Sequence, residues 1–163
     1  MNMCIKILKG KDVENSFRYI KFLKQQTIFK NSLPIEEYTS AIKKDSLDFI
    51  MGLFNRKNEL FGMVLYKFTG SEVDLREIVV LNTFHCRGLG SLLLKEFIKE
   101  IFEYYRSTNN LSLKYIVLQV ESSNQRLKSF YVRHGFRTIA YRFPHPNWIK
   151  HDLMELDIEP IRE

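Results

Sequence analysis

A change of hydrophobic period near the middle of the chain constrains the fold more than any other feature. Before the change, three strand-like runs lie at residues 48–54, 60–68 and 73–81. Residues 88–105 follow, with apolar side chains that recur at helical spacing: Leu89, Leu92, Leu93, Phe97, Ile101 and Tyr104. The pattern predicts three consecutive strands that lead into one long amphipathic helix.

The flanking segments continue this alternation of strands and helices. They predict strands at 4–8, 115–121, 136–143 and 152–158 and helices at 12–26, 34–44 and 123–134. The resulting order is β-α-α-β-β-β-α-β-α-β-β. That order predicts an α/β fold with a mixed sheet (α+β) and helices on its faces, rather than a repeated βαβ unit.

Size and composition predict one domain spanning residues 1–163. The chain is 45% hydrophobic and 13% aromatic, which predicts a compact fold. Its two cysteines, Cys4 and Cys86, form no CxxC pair and no disulfide framework, which indicates a reducing, cytoplasmic setting. No apolar run approaches the roughly 18 residues of a membrane helix, and no signal peptide is recognisable, so we expect no membrane partner.

The formal net charge of +6 is compatible with an anionic partner. A nucleotide cofactor would meet that description as well as DNA or RNA would. The sequence contains no RNP-type aromatic motif, zinc-finger spacing or dense run of arginines. A nucleic-acid-binding function would therefore rest on charge alone, and we expect none.

The loop between the third strand and the long helix carries the residues of a phosphate site. Arg87, Gly88, Gly90 and Ser91 lie where the helix begins. A helix N-terminus offers backbone N–H groups and a positive dipole end, and glycine lets an anion approach them closely. The spacing matches neither a Walker A loop nor a dinucleotide-binding fingerprint. An ordinary turn with a helix cap would use the same residues, so this loop alone supports both interpretations.

Residues 85–90 (HCRGLG) resemble the acyl-CoA signature of the GCN5-related N-acetyltransferase (GNAT) superfamily. That signature reads Arg/Gln-x-x-Gly-x-Gly/Ala and lies between a strand and a long amphipathic helix. His85 stands where the family has Arg or Gln. Backbone N–H groups of the loop make much of the pyrophosphate contact in the family. The substitution by His85 is therefore expected to affect the affinity for the cofactor more than the way in which the pyrophosphate binds.

A second segment, residues 124–136, resembles the other signature of the same family. That signature consists of an Asn, a helix with an aromatic residue and a Tyr, and a Gly-Phe pair that opens a strand. The matching residues are Asn124, Phe130, Tyr131, Gly135 and Phe136. Taken alone, Asn124 could be a helix-start residue and Tyr131 a core aromatic. Two signatures in order, separated by one helix and one strand, are far more specific than either alone.

The resemblance implies the GNAT fold, with a central sheet splayed between the strands at 73–81 and 115–121 and the pantetheine arm inserted there. It implies acetyl-CoA (coenzyme A) as co-substrate, an amine as acceptor and no metal. The implied cofactor-binding residues are Val79, Val80, His85, Cys86, Arg87, Gly88, Leu89, Gly90, Ser91, Asn124 and Tyr131.

The resemblance also implies catalytic roles. Tyr131 would assist the departing CoA thiolate, since a phenol can donate a hydrogen bond to it. Asp74 is the first candidate for the base that takes the amine proton, and Glu77 is the second. They face opposite sides of a regular strand, and a β-bulge would swap their facing. For each, the alternative is an ordinary strand carboxylate paired with a basic residue. Gln119 stands where the family's ribosomal N-terminal acetyltransferases carry a Glu base, which argues against their mechanism.

Two functions remain open at this point. One is an acyl-CoA-dependent N-acyltransferase, with acetyl as the expected acyl group. The other is a non-catalytic acyl-CoA-binding module on the same fold. A Pro-rich loop with His145 and Trp148 is a candidate wall of the acceptor pocket. The sequence does not reveal the acceptor amine, nor whether the chain forms the homodimer that is common in the family.

Overall fold

A computed structural model describes residues 3–8, 10–25, 47–81, 83, 88–108, 112–142 and 150–158. The predicted helix at 34–44 and the loop with His145 and Trp148 lie outside these residues. The strands are β1 Cys4–Leu8, β2 Asp48–Phe54, β3 Leu60–Phe68, β4 Glu72–Val80, β5 Tyr115–Glu121, β6 Arg137–Arg142 and β7 His151–Asp157. The helices are α1 Lys11–Gln25, α2 Leu89–Thr108 and α3 Gln125–Val132.

The seven strands form one sheet in the order β1-β2-β3-β4-β5-β7-β6. β4 and β5 run parallel, whereas β1–β2, β2–β3, β5–β7 and β6–β7 pair antiparallel. A short turn joins β3 to β4, with the Thr69 N–H donating to the Glu72 carbonyl at 2.9 Å. The predicted α/β mixed sheet with helices on its faces is therefore confirmed.

The chain contains two compact units. One comprises Met1–Lys67 and Arg76–Glu100, and the other comprises Phe68–Leu75 and Ile101–Glu163.

In the first unit, apolar side chains cover both faces of β2 and β3. On one face, the stripe of α1 that includes Val13 and Ile20 packs with Ile50 and its neighbours. On the other face, the ring of Phe97 from α2 lies edge-on to the ring of Tyr66, with 5.0 Å between centroids. Burial, and then the nearby Glu100 carboxylate, raises the pKa of Tyr66 well above its usual range.

In the second unit, β5 supplies a nearly continuous apolar core. It pairs with β7 along its whole length, from Tyr115 opposite Asp157 to Glu121 opposite His151. Its side chains at Ile116, Val117 and Leu118 are buried. A strand buried on both faces is expected to read as such an unbroken apolar run.

The parallel pairing of β4 with β5 is short. It covers three residue pairs, from Glu72 opposite Tyr115 to Asp74 opposite Val117. These are the first residues of both strands, so the ladder stops soon after it begins. The two strands are not hydrogen-bonded along their whole length, in agreement with the predicted splay of the central sheet.

Within the part of the chain that the structure describes, no helix has the length and apolar character needed to cross a membrane.

Replacing Gly135 should destabilise the fold for two separate reasons. Its φ is +91°, which L side chains rarely adopt, and a Cβ there would lie 3.1 Å from Leu156 Cδ1. We expect Gly135→Ala to lower the free energy of unfolding by about 1–2 kcal/mol for the backbone alone, with a further loss from the Leu156 contact. Chemical denaturation measures the total.

Gly70→Ala is the matched control for this prediction. Gly70 also has a positive φ, +74°, but no heavy atom lies within 4 Å of a Cβ built there. It should therefore show only the backbone part of the loss. A Gly135→Ala protein no less stable than Gly70→Ala would contradict the assigned packing.

Candidate active site

The turn into α2 is the place where the sequence predicts a phosphate site. Gly88 has a φ of +78°, and a Cβ built there would have no heavy atom within 4 Å. The Leu92 N–H donates to the Gly88 carbonyl at 2.9 Å, which closes the first turn of the helix. Leu89, Gly90 and Ser91 belong to the first turn of α2, where backbone N–H groups point toward the start of the helix axis. Together with the dipole of a 20-residue helix, this end favours an anion.

The structure describes only some of the residues just before this turn. His85, Cys86 and Arg87 lie outside the described residues, and their assignment to the cofactor stays a prediction. Val79 is buried in the same core cluster as Ile50, so any cofactor contact of Val79 must use its backbone. Val80, the last residue of β4, is half-buried.

β4 contains one residue more than the part of β3 with which it pairs. At one end of the hairpin, the Thr69 N–H donates to the Glu72 carbonyl at 2.9 Å. At the other end, the Leu81 N–H donates to the Phe61 carbonyl at 3.0 Å. Phe61 and Thr69 are eight positions apart, whereas Glu72 and Leu81 are nine apart. An antiparallel ladder pairs residues one to one, so we infer a β-bulge in β4.

Side-chain contacts place this extra residue between Arg76 and Val79. Arg76 Nη1 lies 3.7 Å from Asp48 Oδ1, and Asp48 shares a face of β2 with Ile50. Val79 belongs to the same core cluster as Ile50. Residues three apart on a regular strand face opposite sides, so β4 is irregular between these two positions. The regular alternation expected for 73–81 therefore does not hold through the middle of the strand.

The two candidate bases lie on either side of this irregularity. Asp74 lies two residues before Arg76 and shares its face, whereas Glu77 lies within the irregular stretch. Both carboxylates are half-buried. A general base must come within hydrogen-bond reach of the proton that it takes, directly or through one water. Which of them takes the amine proton stays a prediction.

Asn124 is the N-cap of α3. Its side-chain Oδ1 accepts a hydrogen bond from the Leu127 N–H at 3.0 Å. Its backbone carbonyl accepts from the Lys128 N–H, also at 3.0 Å. The helix-start role considered from the sequence is therefore present. Any contact between Asn124 and the cofactor must therefore leave its hydrogen bond to the Leu127 N–H in place.

Tyr131 lies near the end of α3 and is only 5% exposed. Its ring lies edge-on to Phe130 and to Phe136, at centroid distances of 5.2 Å and 5.6 Å. Its backbone carbonyl accepts from the N–H groups of His134 and Phe136, at 2.9 Å and 3.2 Å. The structure thus gives Tyr131 a packing role, and the predicted role of its hydroxyl in catalysis is separate from that.

A buried acidic residue that the sequence analysis did not select lies in the same unit as α3. Asp152, the second residue of β7, is fully buried. Its Oδ1 accepts from Ser122 Oγ at 2.5 Å, and its Oδ2 lies 2.6 Å from Lys128 Nζ. The Lys128 ammonium, followed by the Ser122 hydroxyl, holds the pKa of Asp152 below its usual range. We call Ser122, Lys128 and Asp152 the Asp152 cluster.

One signal in the sequence points to this cluster. In β7 the buried positions alternate, so that Asp152 occupies an inward position two residues before the buried Met154. An acidic residue at an apolar position of a strand needs a partner, because an unpaired charge is costly to bury. The sequence does not say which of the many lysines and arginines that partner is.

Comparison with known families identifies the chain. The Acetyltransferase (GNAT) family matches residues 17–136, about three quarters of its length. The chain belongs to this family. The assignment predicted from the two signatures is confirmed, because the match contains both the turn into α2 and all of α3.

Solved structures of GNAT acetyltransferases share the fold over almost the whole chain. The ribosomal-protein-S18-alanine N-acetyltransferase from Escherichia coli is 18% identical, with a TM-score of 0.77 over 99% of this chain and 97% of that chain. A GNAT acetyltransferase from Streptococcus pneumoniae is 22% identical, with a TM-score of 0.68 over 97% of this chain and 100% of that chain. A mutant of the spermidine N-acetyltransferase from Vibrio cholerae is 14% identical, with a TM-score of 0.70 over 96% of this chain and 94% of that chain. No curated protein sequence matches the chain.

The described residues were compared with the arrangement that a metal site requires. Among them, no three His, Cys, Asp or Glu side chains lie close enough together to hold a metal ion.

The Asp152 cluster should make part of the stability depend on pH. Because the pKa of Asp152 is lowered in the folded state, its ionised form stabilises the fold above the ordinary value of 3.8. That contribution is lost as the pH falls from there through the folded pKa. Asp152→Asn should be about 3 kcal/mol less stable than wild type near pH 7, because Lys128 loses its buried partner. The difference in free energy of unfolding between Asp152→Asn and wild type should become smaller below pH 3.8.

Asp157→Asn is the control on the same strand. Asp157 pairs with Arg137 at 2.7 Å, but both side chains are largely exposed, so the loss of stability should be much smaller than that of Asp152→Asn. Denaturant unfolding at several pH values measures both variants. A difference between Asp152→Asn and wild type that does not change with pH would contradict the assigned ion pair.

Proposed function

We propose that this chain is an acyl-CoA-dependent N-acyltransferase that transfers acetyl from acetyl-CoA to a primary amine. The family match across residues 17–136 is the observation that carries the proposal. We further propose that residues 1–163 act as one GNAT domain, in a reducing cytoplasmic setting, without a metal ion.

The turn into α2 supports the binding of coenzyme A. Its pyrophosphate carries negative charge, and the helix start at Leu89 offers N–H groups and a positive dipole end. The open space beside Gly88 leaves room for the phosphates to approach the backbone. We propose that residues 85–91 contact the pyrophosphate, with Arg87 adding positive charge.

The proposed reaction is direct attack of the amine on the thioester carbonyl. The nitrogen–carbon bond forms, the carbon–sulfur bond breaks, and CoA leaves as a thiolate. The amine must give up a proton, for which Asp74 is the first proposed base and Glu77 the second. The thiolate must be stabilised or protonated, and we assign that role to the Tyr131 hydroxyl.

The acceptor is proposed only as a primary amine. Of the similar structures, one is named for a ribosomal protein alanine and another for spermidine. These acceptors share an amino group and little else. Gln119 replaces the Glu base of ribosomal N-terminal acetyltransferases that the family resemblance implies, and it cannot take up a proton. This favours an acceptor and a base that differ from theirs.

A second candidate is a non-catalytic acyl-CoA-binding module. His85, in place of the Arg or Gln of the signature, is the observation that favours it. A panel of polyamines, aminoglycosides, amino acids and peptide N-termini, assayed for CoA thiol release, separates the two. Amine-dependent release supports the transferase. Thermal stabilisation by CoA without release for any amine would favour the binding module.

Gly90→Val tests the cofactor site. The branched side chain should stand against the phosphates, and we expect it to weaken CoA binding by about tenfold or more, equivalent to about 1.4 kcal/mol. Calorimetry on the folded protein measures this. Glu103→Val is the control, because it also puts a β-branched residue into α2 but removes a negative charge, which does not weaken anion binding. Unchanged CoA affinity in Gly90→Val would show that the assignment is wrong.

Tyr131→Phe tests the proposed proton donor. The change keeps the ring that packs against Phe130 and Phe136 and removes only the hydroxyl. Losing one donor to a developing anion costs about a hundredfold in rate when the site is preorganised. The turnover number should fall by that order while acetyl-CoA affinity stays nearly constant. If wild type and Tyr131→Phe have equal turnover numbers when the chemical step limits the rate, Tyr131 serves only in packing.

A further inference from the structure

The Asp152 cluster joins three separate parts of the second unit. Ser122 directly follows β5, Lys128 lies on α3, and Asp152 lies on β7. The Lys128 ammonium contacts Asp152 Oδ2 at 2.6 Å and is 3.5 Å from the Ser122 carbonyl oxygen. Asp152 is fully buried, and the Lys128 side chain is only 19% exposed. The contacts therefore connect the helix to two strands at one buried point.

The helix that the cluster holds is short. α3 contains eight residues, about two turns, and helices of this length do not persist in water without tertiary contacts. The orientation of α3 must therefore come from the contacts at its ends and in its middle. Asn124 caps the start, and the rings of Tyr131 and Phe136 pack at the end. Lys128 is the charged anchor between them.

The position of Lys128 on the helix relates it to both signature residues. Its N–H closes the first turn on the Asn124 carbonyl at 3.0 Å. It lies three residues before Tyr131, which makes the two side chains neighbours along the helix surface. A shift of α3 that breaks the Lys128–Asp152 pair would move Tyr131 with it.

A buried ion pair is a poor way to gain stability. The cost of removing both charges from water offsets most of the attraction, and well-packed apolar residues often serve as well or better. A buried ion pair can instead add conformational specificity, because moving either group away leaves the other charged and unpaired. In the Asp152 cluster such a movement would displace α3 relative to β7.

We propose that Lys128 and Asp152 are positioning residues for the transfer reaction, which hold α3 where the Tyr131 hydroxyl can serve the departing thiolate. The inference rests on the proposed function for its activity readout. Neither residue needs to contact substrate or cofactor.

The test compares breaking the cluster with replacing it. Asp152→Asn and Lys128→Met each leave one charged group without its partner. The triple variant Ser122→Ala, Lys128→Met, Asp152→Leu replaces the whole cluster by apolar side chains. Arg137→Ala is the control, because it removes ion pairs with Glu155 and Asp157 from the exposed edge of the same sheet. Turnover number, acetyl-CoA affinity and thermal midpoint are measured for all four.

We expect both single variants to lose turnover by about tenfold to a hundredfold, the loss that a displacement of about 1 Å can cause. The triple variant should regain the thermal midpoint but not the turnover number. Arg137→Ala should keep wild-type turnover. A triple variant with restored turnover would overturn the proposal, because the cluster would then be replaceable packing.

A double-mutant comparison tests whether the effect passes through Tyr131. In a Tyr131→Phe protein there is no hydroxyl to position, so Asp152→Asn should cause little further loss of turnover. An equal fold-loss in both backgrounds would overturn the proposed route.

The outcome remains informative if no amine supports turnover. The proposed function would then fail, and hydrogen exchange would test the positioning role by itself. Faster exchange of α3 amides in Asp152→Asn than in Arg137→Ala would support the anchoring of α3. Unchanged exchange of α3 in a folded Asp152→Asn protein would overturn it.

Discussion

The parallel pairing of β4 with β5 is the constraint on which the rest of this structure depends. Two antiparallel strands can be joined by a tight turn, as β3 and β4 are, but parallel strands need a long crossover. Here α2 provides it, and its 20 residues begin directly after the turn at Gly88. A crossover helix that starts beyond the carboxyl end of a strand presents its N–H groups and positive dipole end there. The placement of these N–H groups at the turn, on which the proposed cofactor site depends, is thus a consequence of the sheet topology.

Both compact units bury an acidic residue beside a basic one. In the first, Asp48 lies 3.7 Å from Arg76, among apolar side chains that cover both faces of β2 and β3. In the second, Asp152 is fully buried, and its carboxylate lies 2.6 Å from the Lys128 ammonium. The second pair is the shorter and the more deeply buried of the two. It includes a residue of the short helix whose position the proposed chemistry requires.

The sequence predicts most elements of this fold because their patterns are local. The bounds of β2, β3 and β5 agree with the predicted strands residue for residue, and α2 begins one residue after its predicted start. The role of Gly135 also follows from the sequence, since it lies just past the end of α3, where a positive φ is common. The sequence does not decide whether β4 contains a β-bulge. One extra residue changes the face on which the side chains lie without altering the hydrophobic composition of the strand.

What the sequence determined by itself is the order of strands and helices, the family and the identity of the residues in its two signatures. These depend on short-range spacing, which the chain carries in its own order. Only the tertiary structure decided that Arg76 and Val79 share a face of β4 and that Asp152 meets Lys128 and Ser122. Ser122 and Asp152 are 30 positions apart, and their meeting depends on the pairing of β5 with β7 and on how α3 packs. Contacts of that kind arise from burial across elements, for which no local pattern in the chain is sufficient.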